Sequence, residues 1–257
     1  MTTDRRKVAV VTGAGKRLGR VIALALAERG WDIAVHYRES ANDADNTVRE
    51  IEMLGRRAMA IAADLTDEKA VRMLLPVVAS SLGAVSCVVN NAALFDYDMA
   101  TDFSVSRLDA HMHTNLAAPL LLAQALYAST PDDEQSVVIN LLDQKLANLN
   151  PDFLSYTLSK AALQTATTML AQALAPKVRI VGIAPGLTMA SHLQTEVEFE
   201  DAHRLAPLGE SSRPGDVAEA VAFAVGNRAI TGATIYVDGG QHLAPLSRDF
   251  SFLKRNQ

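Results

Sequence analysis

VAVVTGAGKRLG, residues 8–19, decides the fold. Residues 8–11 are a β-branched run that reads as a strand. From Arg17 an apolar stripe of Leu18, Ile22, Ala25 and Leu26 recurs at helical spacing, and Gly30 is placed as its stop. Between strand and helix stand Gly13, Gly15 and Gly19. Glycine lets a backbone turn tightly and approach a pyrophosphate, whose charge is favoured by the free N–H groups at a helix start. The spacing Gly-x-Gly-x-x-x-Gly is one residue longer than the commonest dinucleotide fingerprint. A glycine-rich turn can also be purely steric; in a strand–turn–helix context it points to a nucleotide.

Outward from this unit, strand and helix patterns alternate almost to the end. Strands are expected at 33–35, Ala58–Ala62, 86–89, 136–142, 178–183 and Thr234–Val237. Helices are expected at 43–54, at 67–82 with Thr66 as N-cap, and at 104–129, 153–174 and 214–225. Such alternation implies parallel pairing through right-handed crossovers. The expected fold is therefore α/β: a single-domain, doubly wound parallel sheet of Rossmann type, with about seven strands and helices on both faces. It occupies residues 1–241. The stretch 187–209 reads as an irregular substrate loop, with Met189, Leu193 and Phe199 as a mobile lid. Residues 242–257 form a tail whose Phe250, Phe252 and Leu253 either pack on a neighbouring subunit or fray.

The composition is that of an ordinary globular chain: 257 residues, 49% hydrophobic and 21% charged. A net charge of −5 argues against nucleic acid or an anionic membrane as a partner held by bulk charge. The single Cys87, inside an apolar run, excludes an intrachain disulfide framework and reads as a buried hydrophobe. The start lacks a long apolar leader segment and no run reaches membrane-spanning length, so cytoplasm is the default location. The six histidines show no metal-ligand spacing, and no metal is expected.

Chemistry concentrates in residues 136–160. Asp143 falls just past the end of the 136–142 strand, where open α/β sheets bind ligands. Tyr156 and Lys160, four apart on a helix, share one face. A packed ring and a solvated lysine would give the same spacing. If acid, phenol and ammonium instead meet in one cleft, the positive charge favours the ionised phenol and makes Tyr156 a usable proton donor near neutrality.

The end of the second strand selects the nucleotide. Dinucleotide folds that bind NAD place an acid about 20 residues beyond the glycine loop, to hold the ribose 2′-hydroxyl. Tyr37 occupies that point, flanked by His36, Arg38, Glu39 and Ser40. Arg38, Ser40 and His36, with Lys16 and Arg17 from the first loop, could hold a 2′-phosphate, since a guanidinium binds phosphate bidentately. NADPH is the expected cofactor, with Glu39 the dissenting residue.

Together these motifs resemble the short-chain dehydrogenases/reductases over nearly the whole chain. Gly13, Arg17, Leu18 and Gly19 resemble that family's cofactor loop, Asp64 and Leu65 its adenine contact, and Asn91 and Ala92 its fourth-strand motif. Asn115, Tyr156 and Lys160 match its catalytic residues, and Pro185, Gly186 and Thr188 its nicotinamide loop. Two departures from the common pattern resemble the pteridine reductase branch: Arg17 in the cofactor loop, and Asp143 where a serine is usual. The resemblance implies that Arg17 touches cofactor phosphate and pterin, that Phe95 stacks on the pterin, and that Asp143 and Tyr156 donate the proton. It also implies that Lys160 lowers the tyrosine's pKa and binds the nicotinamide ribose, that Asn115 holds a water chain, and that the protein is a homotetramer through the 104–129 and 153–174 helices. Ala93 stands where those enzymes carry serine. Three readings stay open: a pteridine-reductase-like enzyme; a reductase of a sugar, a 3-oxoacyl thioester or a xenobiotic ketone; and a non-catalytic NADP-binding sensor or scaffold.

Overall fold

The computed structural model describes residues 7–191 and 194–252; Leu193 and Leu253 lie outside the described residues. Seven parallel strands form one sheet in the order β3-β2-β1-β4-β5-β6-β7. They are β1 (Lys7–Val11), β2 (Trp31–Tyr37), β3 (Ala58–Ala62), β4 (Val85–Asn90), β5 (Ser136–Leu141), β6 (Val178–Pro185) and β7 (Thr234–Val237). The helices between them are α1 (Arg17–Glu28), α2 (Ala41–Met53), α3 (Glu68–Leu82), α4 (Val105–Met112), α5 (Ala118–Ser129), α6 (Leu154–Leu174), α7 (Glu196–His203) and α8 (Pro214–Gly226).

The central strands are apolar without alternation because both sheet faces are covered. Successive residues of β1 serve opposite cores. Ala9 and Val11 pack with Ile22, Leu26, Val217 and Val221, whereas Val8 and Val10 pack with Val71, Leu74, Leu122 and Leu126. Cys87 joins the first of these cores, and burial pushes its thiol up to about 12. The chain moves outward from β1 to β2 and β3, then returns to lay β4 on the other side of β1. That reversal opens a crevice beyond the C-terminal ends of β1 and β4.

Three elements differ from expectation. The 104–129 helix is interrupted by a π-helical turn at His113–Ala117, which joins α4 to α5 and carries Asn115. The 187–209 stretch contains α7, closed by reciprocal capping between Thr195 and Glu198. Its start signal lay in the sequence, but eight residues with Val197, Phe199 and Ala202 scattered round them show no apolar stripe. Asp67, not Thr66, caps α3, because Thr66 is drawn into a turn on the Asp64 carboxylate. The tail is also corrected: Phe252 is buried on its own chain, against Phe153 and Tyr97.

Candidate active site

Two adjoining cavities open at the crevice, both lined by Ala93. The first, of about 280 Å³, lies against Gly13, Gly15, Lys16, Tyr37, Arg38, Ser40, Asp64, Leu65 and Ala92. The second, of about 290 Å³, lies against Arg17, Leu18, Asn91, Phe95, Asp143, Tyr156, Lys160, Pro185, Gly186 and Thr188. Of the cofactor-binding, substrate-binding and catalytic residues expected, the two cavities bring together all but Gly19 and Asn115.

The glycine loop is held from behind. Gly13 adopts φ +64°, and its N–H donates to Nδ1 of His36 at 3.1 Å. The other ring nitrogen of His36 meets the Ala63 carbonyl at 3.1 Å. An N–H on one side and a carbonyl on the other require a neutral ring protonated at Nε2, and burial lowers the pKa accordingly. His36 is therefore a brace for the loop and not the phosphate ligand expected. Asn91 acts similarly: its amide donates to the Thr12 carbonyl at 2.8 Å and that of Gly13 at 3.3 Å. The Thr12 hydroxyl in turn receives the N–H groups of Asn91 and Ala92, each at 3.0 Å. A Cβ built on Gly19 overlaps the Gly13 carbonyl oxygen, so only glycine lets α1 approach so closely.

Arg17 also takes a left-handed conformation, φ 52°, at a cost on the order of 1–3 kcal/mol for a non-glycine residue. Its guanidinium is exposed over the second cavity and donates to the Ala190 carbonyl at 2.8 Å, tying the glycine loop to the 187–209 stretch. At the far end, Arg38 pairs with Glu39 at 3.0 Å. Glu39, the dissenting acid, is thereby turned to its neighbour. The Asp64 carboxylate accepts from the Thr66 N–H and hydroxyl, which hold its pKa below the usual range.

At the reacting end, the Tyr156 hydroxyl donates to Oδ2 of Asp143 at 2.7 Å. Oδ1 of Asp143 accepts from the Lys145 N–H at 2.8 Å, capping the 3-10 turn Gln144–Ala147. The same acid is both cap and partner. Burial raises the Asp143 carboxyl above the ordinary range, against the pull of its hydrogen bonds. Tyr156 is raised well above the ordinary phenol, first by burial and then by the Asp143 carboxylate. The phenol's net direction is therefore upward, opposite to the lowering expected beside Lys160. The ammonium lies 5.9 Å from the ring centroid and donates to the Leu141 carbonyl at 2.6 Å, while burial lowers it to about 8.

Asn115 is fixed by the π turn. Its side chain bonds both to the N–H and to the carbonyl of Leu94, at 2.8 and 3.0 Å, and donates to Ser159 at 2.9 Å. It thus links the fourth-strand loop to the helix bearing Tyr156. Phe95 lines the second cavity, but one face is already stacked on Phe153, with centroids 4.3 Å apart. Its edge-on contact with Tyr156, at 4.7 Å, supports the phenol. The Thr188 hydroxyl donates to the Gly186 carbonyl at 2.9 Å and meets Ser212 at 2.7 Å. Met189 lines the second cavity, whereas Phe199 turns away and lies on His203 beside a separate groove.

Sequence reasoning missed Lys145, Asp249, Phe250 and Ser251, all of which line the second cavity. Lys145, two residues after Asp143, carried a local signal; the other three lie about a hundred positions away and carried none. Among the described residues no helix is long and apolar enough to cross a membrane, and no cluster of His, Cys, Asp or Glu could hold a metal.

Residues 7–201 match the family model for short chain dehydrogenase. A 3-oxoacyl-[acyl-carrier-protein] reductase FabG of Staphylococcus aureus is 32% identical over 92% of this chain and 98% of its own. Among solved structures, FolM alternative dihydrofolate reductase 1 from Brucella canis, complexed with NADP, superposes with a TM-score of 0.90. The two are 37% identical, over 95% of this chain and 96% of that one. A short chain dehydrogenase from Burkholderia cenocepacia in complex with NADP gives a TM-score of 0.84 and 32% identity, over 91% and 97% of the two chains. The glycine loop, the parallel sheet and the Tyr156/Lys160 pair thus have one common explanation: the chain belongs to the short-chain dehydrogenase/reductase family.

Proposed function

We propose that this protein is an NADPH-dependent reductase acting on the C=N bond of a pterin-like ring. The observation that carries this reading is the 2.7 Å bond between Tyr156 and Asp143, a carboxyl raised above its ordinary range in the substrate cavity. The likeness to FolM alternative dihydrofolate reductase supports the substrate class. The first cavity fits a dinucleotide: glycines line its floor, no Cβ is tolerated at Gly19, and Arg38 stands at its rim. Gly13, Gly15, Arg38, Ser40, Asp64 and Leu65 would hold the nucleotide, with Lys160, Pro185 and Gly186 at the nicotinamide end.

NADPH, when bound, supplies the hydride. The chain's own residues supply position and the proton. A protonated Asp143 donates its O–H to the Tyr156 oxygen, which releases the phenol proton for the substrate nitrogen. Lys160, lowered to about 8, still carries its charge near neutrality and stabilises negative charge that develops on the phenol. Phe95, Phe153 and Leu142 keep water from the reacting end.

The deciding assay follows NADPH oxidation with 7,8-dihydrobiopterin, dihydrofolate and a panel of ketones as separate acceptors. Pterin turnover that Asp143→Ala and Tyr156→Phe both lose supports the proposal; turnover on ketones alone sinks the pterin assignment. The likeness to FabG favours the second reading, reduction of a carbonyl by the same residues.

Cofactor choice has its own test. Charge-assisted hydrogen bonds contribute about 1.5–3 kcal/mol, so Arg38→Ala should raise the KM for NADPH roughly 10- to 150-fold. The KM for NADH should barely move. Equal effects on both would show that Arg38 does not read the 2′-phosphate. Exposed apolar side chains on α5 and α6, Tyr127, Leu158 and Met169, support assembly of a homotetramer through these helices.

A further inference from the structure

The C-terminal segment is built into the wall of the substrate cavity. Asp152, fully buried, receives Nε and Nη2 of Arg248, at 2.9 Å on Oδ2 and 2.8 Å on Oδ1. It also receives the Asp249 N–H at 2.8 Å. Three residues farther on, Phe252 inserts between Tyr97 and Phe153, and the Arg248 guanidinium lies 5.3 Å over its ring. Between these anchors, Oδ2 of Asp249 meets Nζ of Lys145 at 3.3 Å, and Oδ1 accepts from the Ser251 N–H at 3.0 Å. Lys145 is itself 4% exposed and donates to the Asp152 carbonyl at 2.6 Å. The result is a short segment fixed at both ends, whose middle residues, Asp249, Phe250 and Ser251, face the cavity beside Asp143.

The geometry points to a size filter: the Arg248–Phe252 segment closes the Asp143 side of the cavity, so the enzyme takes compact substrates and rejects those carrying a phosphopantetheine-like arm. A substrate reacting at Tyr156 meets this segment where a long thioester arm would leave the cavity. To pass, the arm would have to displace Phe250 and pull the part-exposed Arg248 guanidinium off the buried Asp152 carboxylate, which would be left as an unpaired buried charge. Arg248 is a positioning residue, and Phe250 determines specificity by occupying the exit. The filter concerns shape and holds whether the reduced bond is C=N or C=O.

The test uses the full-length protein with NADPH and two acceptors that share one 3-oxo group, ethyl acetoacetate and S-acetoacetyl-N-acetylcysteamine. Arg248→Ala and Phe250→Ala should each raise the thioester-to-ester ratio of kcat/KM by roughly tenfold or more, a discrimination typical of a pocket wall. If the wild type reduces neither acceptor, thioester reduction gained by the variants carries the same meaning. A purely structural role would lower the melting temperature and both activities together, leaving the ratio unchanged. An unchanged ratio, no gain from zero, or a wild type that already reduces the thioester as readily as the ester overturns the filter. Turnover of 7,8-dihydrobiopterin decides the pterin reading separately, so the two can fail independently.

Discussion

Tyr156→Phe should lower kcat by roughly 10²- to 10⁴-fold, the usual contribution of a positioned general acid. The ring remains to fill the space between Phe95 and the α6 backbone; what disappears is the hydroxyl 2.7 Å from Asp143. NADPH affinity should therefore hold while the chemical step fails. The companion variant is Asp143→Asn, which keeps the shape and an acceptor for the Lys145 N–H but removes the carboxyl proton. Reduction consumes a proton, so the acid form of the Asp143–Tyr156 pair is the active one. Burial holds the Asp143 carboxyl above its ordinary range. Wild-type kcat/KM should thus be sustained below that raised pKa and fall as pH rises through it. In Asp143→Asn that descending limb should vanish and the plateau should lie lower. A variant profile superimposable on the wild type would remove Asp143 from the proton path.

The second large effect is expected at Gly19. The Cβ of Gly19→Ala would overlap the Gly13 carbonyl oxygen and lie 2.5 Å from the Asn91 amide nitrogen. Both neighbours are committed, since Asn91 holds the Thr12 and Gly13 carbonyls and His36 holds the Gly13 N–H. The loop can yield only by lifting away from α1. Overpacking of this kind costs typically about 1–3 kcal/mol of stability. The dissociation constant for NADPH, measured by fluorescence titration, should rise far more steeply than for any single phosphate contact, because the whole cradle shifts. Gly226→Ala serves as the control, since nothing lies within 4 Å of that position. Equal affinity in both variants would mean that the loop does not need its close approach to α1.

Where the signal was periodic and local, residue types led directly to structure. Residues 8–19 carried β1, the turn and α1 through contacts close in sequence. The alternating pattern carried the parallel sheet because helical crossovers imply parallel pairing, although the pairings themselves join residues as far apart as Val8 and Val85. Tyr156 and Asp143 were legible for the same reason: one lies on a strong helix and the other just past a buried strand. Orientation was not legible. His36 sits among residues that face the first cavity, yet its two ring nitrogens are spent on Gly13 and Ala63, contacts that depend on strand register. Phe95 lines the second cavity, but its stacking partner, Phe153, is 58 residues away and takes a left-handed backbone at the start of α6. The phenol is pushed upward, opposite to expectation, by burial and by the Asp143 carboxylate, while the Lys160 ammonium is engaged by the Leu141 carbonyl. The tail was least legible of all, since the partners of Arg248 and Asp249 lie near residue 150 and no local pattern announces them.

The π turn at His113–Ala117 has a consequence for how one continuous helical rod divides its loyalties. Each residue of an α-helix advances about 100° around the axis, so widening a single turn throws the two halves of the rod out of phase. Before the turn, α4 packs on α6, the helix of Tyr156; after it, α5 packs on α3 across the outer face of the sheet. Asn115 stands where the phase changes. A rod without that slip would present one stripe along its whole length, and the face that meets the helix of Tyr156 before the turn would no longer be offset from the face that meets α3 after it.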